Sequence, residues 1–425
     1  MAPPARCTAD CKPQGNNPVH TDTSSPIASH RRLTLVLCFV VAVLEGYDLQ
    51  VLAIAGPMLR AAMHLNPRQL GLALSASLLG LALGAAYGGS LADRVGRKKV
   101  LVASVVSLGL FTLATGLANE FESLLTLRLI AGLAMGGAMP NLIAISAAVA
   151  DQGRITSTVT AMICGMPAGG VVAALAGHAL AATFGWRGLF AFGGALTLLV
   201  VPFLVRLLSE PGVRLRRDNA SVSLRESLFG DGRAATTLLL WLLFILTLGL
   251  LSLFTGWAPT LIVDKGLPAA AGFSAMIAIN VGGIGGALIA ASLCDRWTVR
   301  STLLITYAGM AVSLLLFGSS TTAAAVIPLA GVVGFFVLGA QCALYGVSPQ
   351  LYPAASCSTG VGGAVAAGRI GSIMGPIIAG IVMSAGATAN HVVIWMAPVA
   401  VLAGVVLLGL AAASRGTLTR IAAAR

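Results

Sequence analysis

The sequence predicts an all-α integral membrane protein of twelve transmembrane helices in two six-helix pseudo-symmetric halves. Three observations carry this. First, 57% of the 425 residues are hydrophobic and only 9% are charged, against about 25% charged in an average soluble domain. So little charge cannot build a water-facing surface. Second, the apolar residues fall in runs of about 20, enough for a helix to cross about 30 Å of hydrocarbon. Third, Leu91-Ala92-Asp93-Arg94 recurs as Leu293-Cys294-Asp295-Arg296, the mark of an internal repeat with a site between its copies. The runs are continuous rather than alternating, which excludes a β-barrel. The 51 Gly let lipid-embedded helices approach closely.

In chain order, residues 1–32 read as a disordered cytoplasmic tail, rich in Pro, Ser, Thr and Asn and without periodicity. The tail is too polar for a cleaved signal peptide. Hydropathy then places spans near 33–56, 69–91, 100–118, 122–146, 158–182, 187–208, 236–262, 270–293, 301–319, 324–350, 358–386 and 391–413. The longest polar interruption runs from Ser209 to Gly232 and divides the spans six and six. The domains are therefore an N-terminal half at 33–208, a cytoplasmic linker at 209–235, a C-terminal half at 236–413 and a cytoplasmic tail at 414–425.

Lys and Arg crowd the loops on the side of the two tails, Arg94, Arg97, Lys98 and Lys99 among them. The opposite side carries Arg60, Arg68, Arg187 and Lys265. The positive-inside rule puts both termini in the cytoplasm, and this distribution assigns the net +12 to membrane topology rather than to nucleic acid. The seven Cys are scattered and read as small buried hydrophobes. No metal or cofactor is expected. The five His form no cluster with a nucleophile, which argues against an enzyme. No Gly loop is followed by Lys-Ser or Lys-Thr, which argues against ATP drive.

Inside the first span, Glu45 and Asp48 stand three residues apart, on one helix face, about 18 and 22 Å from the inner end. Two close buried carboxylates raise the proton affinity of at least one, the equipment of a proton acceptor. A structural pair satisfied by Arg or backbone donors is the alternative. Arg128 in the fourth span either faces a cavity or partner, serving proton coupling or substrate access, or snorkels to the surface. Arg369 lies about 16 Å into the eleventh span, level with the acids. An always-charged planar donor there can clamp a carboxylate bidentately, or it can form a salt bridge to Glu45 or Asp48. Trp257, Gln341 and Tyr345 can stack on or hydrogen-bond an aromatic ring, or simply pack.

The segment Gly89-Ser90-Leu91-Ala92-Asp93-Arg94-Val95-Gly96-Arg97-Lys98-Lys99 resembles the signature loop of the major facilitator superfamily. Gly89 permits close helix contact, Gly96 a sharp turn, and Asp93 pairing with Arg and a helix N-terminus. The resemblance implies that Gly89, Asp93, Arg94, Gly96 and Arg97, with Asp295 and Arg296 of the second copy, gate the cytoplasmic side. The second copy has Ala291 in place of Gly89. Arg128-Leu129-Ile130-Ala131-Gly132 through Asn141 is similar to the superfamily's fourth-span motif. Glu45-Gly46-Tyr47-Asp48-Leu49-Gln50 resembles the acid-Gly-aromatic-Asp segment of its aromatic acid:proton symporters. Met139-Pro140-Asn141-Leu142-Ile143-Ala144 and the stretch from Gly360 to Arg369 are similar to those of hydroxyphenylpropionate carriers.

The resemblance implies proton symport of an aromatic monocarboxylate across a bacterial inner membrane. Asp48, Glu45 and Arg128 would couple protons, and Arg369, Tyr47, Gln50, Asn141, Gln341, Tyr345 and Trp257 would bind substrate. The proton gradient would be the only drive, and the working unit a monomer in the bilayer. Two departures affect the cytoplasmic side. After the fourth span, Ala148 and Asp151-Gln152-Gly153-Arg154-Ile155 replace the usual acid and Arg-rich turn, and Cys357 stands where Arg is customary before the eleventh. Export by proton antiport and a non-transporting sensor of aromatic acids are the rival readings.

Overall fold

In the computed structural model, residues 26–151, 155–208, 228–297, 299–353 and 356–423 are described. The linker stretch 209–227 and most of the N-terminal tail lie outside them. The helices are α1 (Pro26–Met63), α2 (Pro67–Val95), α3 (Arg97–Thr115), α4 (Phe121–Val149), α5 (Ile155–Ile163), α6 (Gly165–Leu207), α7 (Ala234–Asp264), α8 (Ala269–Arg296), α9 (Val299–Ser319), α10 (Ala323–Val347), α11 (Cys357–Ser384) and α12 (Ala389–Ala423).

Among the described residues, eleven helical stretches are long and apolar enough to cross a membrane, and one of them, Thr158–Leu207, is 50 residues long. That is about 75 Å of helix, enough for two crossings. It breaks at Gly185, whose φ of 60° and ψ of −161° are non-helical and open to glycine. The fifth span is thus α5 with the first part of α6, and the sixth is the remainder. Twelve crossings result among the described residues.

Two ends differ from expectation. Helix α1 begins at Pro26, inside the segment read as tail, and Arg31 explains how. Its side chain donates to the Val149 carbonyl (2.7 Å) and pairs with Asp151 (2.7 Å), tying the start of α1 to the end of α4. Helix α12 likewise runs on to Ala423.

Each half is held by backbone-to-backbone approaches that only glycine permits. A Cβ at Gly84 would lie 2.1 Å from the Leu133 carbonyl oxygen, and one at Gly136 2.2 Å from that of Leu81, so α2 and α4 touch. In the second half, Gly286 against Phe335 and Gly334 against Ile279 do the same for α8 and α10. The fifth span meets α1 through Gly46 on Met166 and Gly169 on Val43, and α11 meets α7 through Gly371 on Ile245. The same helix pairs are therefore used twice, six spans apart, which gives the repeat a physical form.

The halves meet along α1 with α7, α2 with α11, and α6 with α8. Gly71 lies against Pro376 and Gly380 against Pro67, while Ser75 donates to the Ile373 carbonyl (2.7 Å). These contacts, like the Arg60–Asp264 pair of α1 and α7, lie toward the side away from the chain termini. The far side is thus a closed one.

Candidate functional site

The polar centre lies inside the N-terminal half. Asp48 is 2% exposed and Arg128 fully buried. Both Asp48 oxygens accept from one Arg128 nitrogen, at 3.1 and 3.2 Å, and the Thr112 hydroxyl donates to Asp48 at 2.5 Å. Arg128 Nε and its other terminal nitrogen donate to Thr115 at 3.2 and 2.9 Å, and Thr115 in turn donates to the Phe111 carbonyl. The guanidinium also lies over the Phe190 ring, 5.1 Å from its centroid. Arg128 therefore does not snorkel: the ion pair and the α3 hydroxyls compensate its burial.

Glu45, one turn before Asp48, is also fully buried, and neither of its carboxylate oxygens has a hydrogen-bond partner among the described residues. Along this face of α1, Val41 packs with Val105 and Ala138, and Leu49 with Leu108 and Met135. The two acids share a face, as expected, but it is turned to α3 and α4 within one half rather than onto the interface between halves.

Arg369 is partly exposed and makes neither an ion pair nor a hydrogen bond among the described residues. Its level follows from the helix register. Thr260 of α7 lies against Gly56 of α1, and one turn on, Arg60 and Asp264 are paired. Trp257 donates to the Pro376 carbonyl of α11 (3.1 Å). Nearer to Arg369, Gly368 lies against Phe244 and Gly371 against Ile245, which sets Arg369 beside Ile245 of α7 and so near Val41 of α1, about one turn from Glu45 and two from Asp48. Arg369 thus stands on the terminus side of the acids rather than level with them, and Asp48 takes its cation from Arg128, not from Arg369.

The other expected substrate contacts divide. Gln341 and Tyr345 are partly exposed, with Tyr345 edge-on to Phe244 at 5.4 Å. Tyr47 and Trp257 pack between helices, the alternative already open for Trp257, and are not substrate contacts. Both are buried, and their polar atoms are spent on the carbonyls of Leu189 and Pro376, so they join helices. Asn141 is buried and donates to Gly137 one turn back in its own helix (2.8 Å). Gln50 crosses between the halves to Asn280 of α8.

Of the gating residues, Gly96 adopts φ 107°, a conformation that favours glycine and turns α2 into α3. Arg94 and Arg296 are exposed and Arg97 partly so. The side chains at Gly89, Asp93 and Asp295 lie outside the described residues. Where the expected acid and Arg-rich turn are missing, Asp151 serves Arg31 instead.

Sequence reasoning missed Thr112, Thr115, Asn280 and the Arg60–Asp264 pair. The first two were legible as hydroxyls three apart on one face of a span, and Asn280 as an amide within a span. Arg60 was read only as a loop charge.

The model of the Major Facilitator Superfamily matches residues 38–291. The chain is 38% identical to a 3-(3-hydroxy-phenyl)propionate transporter of Escherichia coli (strain K12), over 90% of this chain and 95% of that one. It is 30% identical to a gallate transporter of Pseudomonas putida, over 85% and 87%. In three dimensions it is similar to a D-xylose–proton symporter, with a TM-score of 0.73, 17% identity, and 88% and 97% of the two chains covered. With twelve crossings, the repeated helix pairs and these matches, the chain belongs to the major facilitator superfamily of membrane transporters.

Proposed function

We propose that this protein imports an aromatic monocarboxylate together with protons, by alternating access across a bacterial cytoplasmic membrane, as a monomer with both termini inside. The observation that carries the reading is a division of labour between the two halves. On the N-terminal side, carboxylates are enclosed with a cation; on the C-terminal side, Arg369 stands partly exposed without an anion. A guanidinium without a counter-ion within a span is matched by a substrate carboxylate. The aromatic transporters among the relatives support that class of substrate, and hydroxylated phenylpropionates are the first choice within it.

Protons enter through the acids. A bare carboxylate is costly to bury, and taking a proton removes the charge, so Glu45 is suited to carry one. Asp48 exchanges its proton against Arg128: protonating Asp48 dissolves the pair and frees the guanidinium on α4. The proton gradient is the only drive required. With the termini in the cytoplasm, the closed far side makes this the inward-facing state.

Uptake of 3-(3-hydroxyphenyl)propionate and of benzoate by vesicles under an imposed proton gradient tests the reading. Accumulation should collapse with a protonophore, and in Asp48→Asn and Arg369→Ala. Normal accumulation in both variants would overturn these roles, and extrusion under the same gradient would overturn the direction.

A further inference from the structure

Gln50 and Asn280 face each other across the two halves as a reciprocal amide pair. Gln50 Nε2 donates to Asn280 Oδ1 (3.0 Å), and Asn280 Nδ2 donates to Gln50 Oε1 (2.7 Å). Asn280 is held from behind, since its Nδ2 also donates to the Met276 carbonyl (2.8 Å). Asn280 is buried and Gln50 partly exposed. Each amide thus has a donor and an acceptor satisfied only by its partner in the other half.

The chain also makes room for this crossing. The fifth span carries Gly165, Gly169 and Gly170, and the first two rest on the α1 backbone. Gly170 differs: a Cβ there would lie 2.2–2.4 Å from the carboxamide atoms of Gln50. Gly170 is the notch through which Gln50 reaches α8. The crossing stands two residues beyond Asp48 toward the far side, on the way to the Arg60–Asp264 pair, whose bonds are 3.1 and 2.8 Å.

We propose that Gln50 and Asn280, seated by Gly170, form the inner clasp of the far-side gate, parting and re-forming once in each transport cycle. The inference rests on the alternating-access reading above. Its physical basis is asymmetry. With Gln50 removed, the Asn280 Oδ1 is left buried and unpaired only while the gate is closed, so the closed state alone is penalised. With both replaced by apolar side chains, nothing is left unpaired and an apolar contact holds the gate shut.

Spin labels introduced as non-canonical amino acids at Ala62 and Ala269, both exposed at the far end of the bundle, report the opening. The distance distribution is measured by double electron–electron resonance on the full chain in lipid nanodiscs. In Gln50→Leu the long-distance population should grow several-fold over wild type. Gly170→Ala, which touches neither amide but displaces Gln50, should shift it the same way. In the double variant Gln50→Leu/Asn280→Leu it should fall to or below the wild-type level. A general loosening of the fold would move the single and double variants together, and that result, or no change in Gln50→Leu, overturns the clasp. The readout uses no substrate, so it stands apart from whether the cargo is an aromatic acid. If the labels report a fixed distance in every variant while uptake proceeds, it is the alternating-access assignment of this interface that fails.

Discussion

The two halves repeat each other in backbone and differ in charge. In the N-terminal half, Asp48, Arg128, Thr112 and Thr115 answer one another in a buried network, with Glu45 sealed in beside them. In the C-terminal half, Arg369 is partly exposed and makes neither an ion pair nor a hydrogen bond among the described residues. Identical architecture thus carries two electrostatic problems, one solved inside the protein and one that the proposed function leaves to a solute. A solved pair can change by taking up a proton. An unsolved cation binds an anion. The glycine contacts that make the halves alike, Gly84 on Leu133 and Gly286 on Phe335, set the scaffold and leave the chemistry free to diverge.

This contrast can be broken from either side. The largest effect belongs to Arg128. Arg128→Ala leaves Asp48 buried without its cation, a loss of about 3–5 kcal/mol, to be read as reduced thermal stability in detergent together with lost uptake. Arg128→Lys restores charge but not the fork that reaches both Asp48 and Thr115, and should recover stability only in part. Arg369→Ala should do the reverse. With no partner to abandon, it should leave the melting temperature near wild type. It should nevertheless raise the substrate KM by about 10- to 100-fold, the range set by hydrogen bonds to charged groups of about 1.5–3 kcal/mol. If Arg369→Ala were instead the more destabilising of the two, the division between the halves would be wrong.

The smallest effect lies at the far end, in Lys265. Its ammonium donates to the carbonyls of Phe317, Gly318 and Ser320 at the end of α9, while burial lowers its pKa from 10.5 to about 8. The cost of burying that charge is present in full below about pH 8. Between there and 10.5 the unfolded chain holds more protons than the folded one, so stability gains as pH rises. Lys265→Met should remove this dependence, seen as a thermal-stability difference from wild type that changes across that window. An unchanging difference would show that the carbonyls, and not burial, govern the lysine.

Most of the fold was legible because the bilayer enforces it: an apolar run of about 20 residues has one use. The break at Gly185, between the spans read as 158–182 and 187–208, was equally plain. The site was legible in kind and less so in pairing. Glu45 and Asp48 stood out as buried charge, but spacing along α1 fixes only that they share a face, not which neighbour the face meets. That neighbour is decided by α3 and α4, through close glycine packing no single helix shows. Tyr47 and Trp257 illustrate the same limit, since an aromatic with a polar tip suits a backbone carbonyl as well as a ligand. Asn280 was overlooked because its meaning depends on Gln50, 230 residues earlier.

The central claim is that the N-terminal acids carry the proton and Arg369 the anion. Purified protein in proteoliposomes, assayed in parallel for gradient-driven accumulation and for exchange of labelled against unlabelled substrate, tests it most directly. Glu45→Gln should lose accumulation and keep exchange, because the neutral amide mimics the protonated acid but cannot release a proton. Arg369→Ala should lose both. Accumulation at the wild-type level in Glu45→Gln, or exchange at the wild-type level in Arg369→Ala, would contradict the account.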